Sequence, residues 1–187
     1  MTNQQHSVYT ASPLFTPEQI KTCEAIENLL RENGIAFFAP RLDTAEFGKE
    51  LGKFTKLFNE ATDPTEQANA LKGRLEAAKN IYRANCEAIN RSTVVIANID
   101  DRDTGTMFEI GYAVAKGIPV FTYSTHNYGC NIMISQSCVA HTTDITVLPK
   151  WIKQIFEIAK DKDIRDPEIL IEAMEQFKDL IDEREQI

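Results

Sequence analysis

The chain has 187 residues, 43% of them hydrophobic, with 8 glycines, 7 prolines and a formal net charge of -8 at pH 7. That is enough apolar material for one domain of ordinary size, or one with an appendage, and too little Pro and Gly for disorder. The acidic balance excludes a nucleic-acid backbone as the main partner, since phosphate binding needs clustered Lys and Arg, and no apolar run approaches the roughly 20 residues that span a bilayer.

Met1-Thr2-Asn3-Gln4-Gln5-His6 has no signal-peptide pattern, so a cytoplasmic location with no membrane partner is expected. Ser7-Val8-Tyr9-Thr10-Ala11 reads as a first strand. A helix follows, with Thr16 as N-cap and Pro17 at its first position. Ile20, Cys23, Ala25, Ile26, Leu29 and Leu30 recur at helical spacing, and Asn33-Gly34 stops the helix. Ile35-Ala36-Phe37-Phe38-Ala39 is a second strand, ended by Pro40. Residues 41–70 are polar, with Phe47, Leu51, Phe54, Leu57 and Phe58 at helix-like intervals and a break at Asp63-Pro64-Thr65. A connection this long inside a compact domain suggests a lid or an added element. The next helix, from about Thr65 to Asn90, is expected to bury Leu71, Leu75, Ala78, Ile81, Tyr82 and Ile89.

A third strand over 93–99 leads into a loop of carboxylates, a helix over 104–117 and a fourth strand over 118–123. Residues 125–138 read as loop with a short helix, and Thr146-Val147-Leu148 as a short fifth strand. The tail from 149 reads as two helices parted near Asp166-Pro167, the second carrying Leu170, Ala173, Met174, Phe177, Leu180 and Ile181 on one stripe. The expected organisation is an α/β domain over 1–148, with 41–70 as an inserted lid region. A C-terminal helical extension over 149–187 packs on that domain or on a neighbouring subunit.

The chemistry is narrowed by what is missing. Cys23, Cys86, Cys130 and Cys138 form no CxxC pair and read as reduced thiols, and no second ligand pair accompanies Cys138 and His141. Gly105 stands alone, so there is no P-loop and no dinucleotide fingerprint. Asp100, Asp101 and Asp103 begin like a calcium loop, but Tyr112 stands where its closing Glu belongs. Three histidines, at 6, 126 and 141, give little material for a triad. No metal or cofactor is implied. What remains is Asp103 and Glu109 across a loop-to-helix junction, at the sheet edge where open α/β folds bind ligands. Asp103 alone has a structural explanation as a helix cap. Glu109 lies among Met107, Phe108, Ile110, Tyr112, Ala113, Val114 and Ala115, where an unpartnered carboxylate is costly. An ion pair to Arg83 or Arg91 is its structural alternative.

The stretch Asp103-Thr-Gly-Thr-Met-Phe-Glu109-Ile-Gly-Tyr-Ala resembles the nucleophile motif of the nucleoside 2-deoxyribosyltransferases. Val8-Tyr9-Thr10-Ala11-Ser12-Pro13-Leu14-Phe15, Asn85-Cys86-Glu87-Ala88-Ile89-Asn90-Arg91-Ser92 and Asn131-Ile132-Met133 are similar to further segments of that family, in order and approximate spacing, over about residues 7–145. The resemblance implies a flavodoxin-like or Rossmann-like parallel sheet of about five strands. It implies transfer of deoxyribose from a deoxynucleoside to a free nucleobase, in nucleotide salvage, through a covalent intermediate on Glu109. Asp103 would hold the sugar or orient the nucleophile. Tyr9, Ser12, Leu14, Phe15, Gly105 and Met133 would line the pocket, with Phe47 closing over it. Asn131 would reach a neighbouring subunit's site, which requires a homo-oligomer of at least two chains. Asn85 departs from the family's usual Asp and cannot supply an acidic proton. Two alternatives stand: an N-glycosidase of the same fold acting on nucleoside 5'-monophosphates, with Ser12, Ser135 and Ser137 as phosphate donors, and a non-catalytic nucleotide sensor.

Overall fold

A computed structural model describes residues 6–126 and 131–177. Its centre is a sheet of five parallel strands: β1 (Val8–Ala11), β2 (Phe37–Phe38), β3 (Val94–Asn98), β4 (Val120–Tyr123) and β5 (Ala140–Thr142), in the order β2-β1-β3-β4-β5. That order is the flavodoxin-like one, and its switch point lies between β1 and β3. Val94, Val95, Ile96 and Ala97 are fully buried, as an apolar run must be in a parallel sheet covered on both faces. β1 pairs with β3 from Val8 opposite Val94 to Ala11 opposite Ala97, so both strands end at the same level.

Eight α-helices accompany the described sheet: α1 (Pro17–Glu32), α2 (Pro40–Asp43), α3 (Ala45–Glu60), α4 (Pro64–Arg91), α5 (Thr104–Ala115), α6 (Ile132–Ser135), α7 (Leu148–Asp161) and α8 (Pro167–Glu175). α1 begins as its sequence requires, on a capping box between Thr16 and Gln19 with Pro17 in the first turn, and ends at Asn33 and Gly34, the latter at φ +67°. Two compact units emerge. One holds the described residues up to Phe38 and from Ile89 onward; the other is Ala39–Ala88.

In the first unit, Ile26 and Leu30 of α1, Trp151, Ile152 and Ile155 of α7, Ala173 of α8 and Phe177 share one core with Val8, Val94, Ile96, Phe121 and Tyr123. Phe121 anchors it, 5.3 Å from the Trp151 ring and 5.2 Å from Phe177. Arg165 donates to the carbonyls of Asn90 and Ser92, closing the end of α4 where the chain enters β3. Leu180 and Ile181 of the expected tail stripe lie outside the described residues, as does Cys130. In the second unit α3 turns Phe47, Leu51, Phe54 and Phe58 inward at half-burial, and a Cβ on Gly73 of α4 would run into the Phe54 ring.

Two expectations are corrected. The fifth strand is Ala140–Thr142, not 146–148. Asp144 caps Ile145–Val147 into a 3-10 turn by accepting from the Thr146 amide at 3.0 Å and its hydroxyl at 2.6 Å, and α7 starts directly behind it. In α4 Ile89 is buried as expected and Ile81 half-buried, but the other buried residues are Ala70, Ala77 and Ala88, with Gly73 half-buried between them, whereas Leu71, Leu75 and Tyr82 are exposed and Ala78 faces out with them. Small residues face inward because they allow a neighbouring helix to approach closely. Among the described residues, no helix is long and apolar enough to cross a membrane.

Candidate active site

Two loops leave the carboxyl ends of β1 and β3: residues 12–16, which lead into α1, and residues 99–103, which lead into α5. They flank the switch point of the sheet, where an open parallel sheet leaves a crevice for a ligand. The second loop carries an unusual backbone. Asp101 has φ 59° and Arg102 φ 51°, two successive non-glycine residues in the left-handed region. Each costs about 1–2 kcal/mol in isolation and persists only where neighbours fix it. Here they do. Asn98 Oδ1 accepts from the Asp100 amide at 2.8 Å. The buried Asp100 carboxylate accepts from the Thr125 amide at 3.0 Å and from its hydroxyl at 2.8 Å. The Ile99 amide donates to the Tyr123 carbonyl at 2.9 Å.

This loop delivers Asp103 as the N-cap of α5, with Oδ2 accepting from the Thr106 amide at 2.7 Å and its hydroxyl at 2.9 Å. Oδ1 stays outside the cap. The structural explanation for Asp103 therefore holds, and it uses one carboxylate oxygen. Gly105 lies in the same turn, where a Cβ would come within 3.1 Å of Asp103 Oδ2.

Helix α5 turns Thr106, Ile110 and Ala113 into the core. Glu109 sits at the edge of that stripe, three residues after Thr106 and four before Ala113, and is half-buried. Its Oε1 accepts from the Tyr9 hydroxyl at 2.5 Å. Short O–H to carboxylate bonds of this kind are charge-assisted and stronger than neutral ones. Tyr9 is fully buried on β1, stacked at 5.7 Å and 11° on Phe38 of β2. Strand and helix, 100 residues apart in sequence, thus fix one carboxylate between them.

The other expected site residues divide into three groups. Leu14 is half-buried and Phe15 is 79% exposed on the first loop. Ser12 is half-buried beside them: its Oγ accepts from the Cys23 thiol at 3.2 Å and is hydrogen-bonded to the Tyr123 hydroxyl. Burial pushes the Tyr123 hydroxyl above the ordinary tyrosine range, with Cys23 adding to the effect and the Ser12 bond opposing it. Asn131 caps α6, accepting from the Met133 amide at 2.9 Å, and is exposed together with Met133 at 75%. Asn85 lies half-buried in α4, within the second unit. Ser135 and Ser137 donate to the carbonyls of Ile132 and Ile134. Among the described residues, no three His, Cys, Asp or Glu side chains converge as a metal site.

Sequence reasoning did not single out Gln19 or Thr125, and met Asp100 and Asp101 only as a calcium-loop pattern that fails. For Gln19 a signal exists, its spacing of three from the N-cap Thr16. The left-handed pair at 101 and 102 has no local signature, since Asp visits that region readily but Arg does not.

A family model described as "Nucleoside 2-deoxyribosyltransferase" matches residues 8–181. Among solved structures, the chain is similar to a 2-deoxyribosyltransferase from the psychrotolerant bacterium Bacillus psychrosaccharolyticus, with 26% identity and a TM-score of 0.57. That likeness covers 76% of this chain and 90% of the other. No curated protein matches.

Proposed function

Since the chain belongs to the nucleoside 2-deoxyribosyltransferase family, we propose that it exchanges the base of 2'-deoxynucleosides, with Glu109 as nucleophile, in nucleotide salvage. The observation that carries this reading is the Tyr9–Glu109 hydrogen bond. A carboxylate on an otherwise apolar helix, gripped by a fully buried phenol below a sheet edge, has the fixed rotamer that attack on one carbon requires.

The proposed course is a double displacement. Glu109 forms a C–O bond to the anomeric carbon of the deoxynucleoside as the C–N bond to the base breaks, and the electron pair leaves on the base nitrogen. A free base then attacks the same carbon from the vacated face and releases the carboxylate. A carboxylate is competent at an oxocarbenium-like centre, as in retaining glycosidases. Asp103 uses Oδ1 toward a sugar hydroxyl while Oδ2 keeps the helix cap. Phe15 and Leu14 form the wall that meets the base, with Gly105 leaving room beside the cap. Asn131 and Met133 act on the site of a second copy in a homo-oligomer, which their exposure in the single chain supports. With Asn85, an amide, where the family usually has Asp, protonation of the leaving base falls to another group.

The rival reading, hydrolysis of nucleoside 5'-monophosphates, needs hydroxyl donors for a phosphate. The donors of Ser135 and Ser137 are engaged within the chain, which favours a free 5'-hydroxyl. The test is chromatographic: deoxyinosine with free adenine, then deoxynucleoside monophosphates alone. Deoxyadenosine formed by the protein and absent with Glu109→Ala is the expected result. Sugar phosphate released from the monophosphates would favour the hydrolase, and no turnover at all would leave only the sensor.

A further inference from the structure

Two groups on the first loop and one on the second converge on a single side chain. Gln19 Oε1 accepts from the Phe15 amide at 2.7 Å and the Thr16 amide at 3.0 Å, while Gln19 Nε2 donates to Asp101 Oδ2 at 2.8 Å. A capping box needs only the acceptor, and glutamate serves it as well as glutamine. The bond to a carboxylate is different: it needs a donor, which glutamate lacks. Position 19 therefore answers to the bridge between the loops as well as to the start of α1.

The bridge ends on the residue with the least relaxed backbone in the site, Asp101 at φ 59°, followed by Arg102 at φ 51°. One residue later comes Asp103. At its other end the bridge grips the amide of Phe15. We propose that Gln19 is a positioning residue: its amide ties the two loops across the switch point and sets the base-facing wall at Phe15 against the sugar-facing carboxylate at Asp103. This inference rests on the transferase reading given above. Gln19 itself touches neither base nor sugar in this account. It acts through the two loops.

A charge swap tests it without disturbing the cap. In Gln19→Glu the new carboxylate still accepts from the Phe15 and Thr16 amides but faces Asp101 with like charge. Adding Asp101→Asn supplies an amide that donates to that carboxylate and restores the bridge in reverse. Two like charges about 4 Å apart in water repel enough to change an equilibrium about fivefold. The expected result for Gln19→Glu is a rise in KM for deoxyinosine of about that size, with kcat little changed, shrinking as salt is added. The double variant returns to the parent value. A purely structural role would move the melting temperature and leave KM, its salt dependence and the rescue absent. That outcome, with the parent protein active and Glu109→Ala inactive, overturns the inference alone. If the parent exchanges no bases, the transferase reading fails, and amide hydrogen exchange decides the bridge. Protection in 12–16 and 99–103 that falls in Gln19→Glu and returns in the double variant supports it, and unchanged protection overturns it.

Discussion

Replacing Tyr9 by phenylalanine removes one oxygen and leaves the ring stacked on Phe38, so the fold should survive while Glu109 loses its grip. Hydrogen bonds to charged groups contribute about 1.5–3 kcal/mol. Steady-state kinetics of Tyr9→Phe should show kcat/KM for base exchange lower by on the order of tenfold to a hundredfold. Unchanged kcat/KM would mean that the phenol is only packing. Asp103 separates its two duties differently. Asp103→Asn keeps a good N-cap, so melting temperature should hold while KM for the deoxynucleoside rises; Asp103→Ala should lose both, with about 1 kcal/mol of stability from the cap. Both carboxylates were legible in the sequence, because a charged residue in an apolar helix and one at a helix start stand out locally. The Tyr9 hydroxyl bond was not, since it joins residues 100 apart. Nor was the bond that Ser12 Oγ accepts from the Cys23 thiol, 11 residues away.

At the scale of elements, α4 shows why size misleads. Leu71, Leu75 and Tyr82 sit on the exposed side of this helix, while Ala70 and Ala77 are buried and Gly73 is half-buried between them. Periodicity of large apolar residues held at Ile81 and Ile89 but pointed to the wrong face over 71–78, because closeness to α3 is set by the absence of a side chain at Gly73. Gly73→Val should force the Phe54 ring aside and destabilise by about 1–3 kcal/mol in denaturant unfolding, although valine is the more apolar residue. The start of α4 carries a pH dependence. Hydrogen bonds from the amides of Glu66 and then Thr65 hold the Asp63 carboxyl below its ordinary 3.8. A lowered folded value means its contribution is present above 3.8 and lost as the pH falls through the folded pKa. The melting-temperature difference between the parent and Asp63→Ala should therefore be present at neutral pH and vanish in acid. The fifth strand was misplaced for a comparable reason: Asp144 gives the Ile-Thr-Val run a 3-10 turn by local capping, which apolar pattern alone does not reveal.

Across the whole molecule, the parallel flavodoxin-like sheet was legible from strands alternating with helices, as was the carboxyl edge beside which the candidate site is proposed. The compactness of 39–88 was not, because it depends on α3 meeting α4 rather than on the composition shift at 41. Assembly gives its own test. If Asn131 serves a second copy, Glu109→Ala chains mixed with Asn131→Ala chains should regain base exchange that neither has alone; a mixture no more active than its parts would place Asn131 outside the neighbouring site. The claim on which the rest depends is that deoxyribose is carried on Glu109. Incubating the protein with deoxyinosine alone, quenching in acid and weighing the intact chain and its peptides tests it directly. The account predicts a mass gain of one deoxyribosyl group on the peptide holding Glu109, removed by adding free adenine and absent in Glu109→Ala. An unmodified chain that still exchanges bases, or a sugar found on another residue, would contradict it.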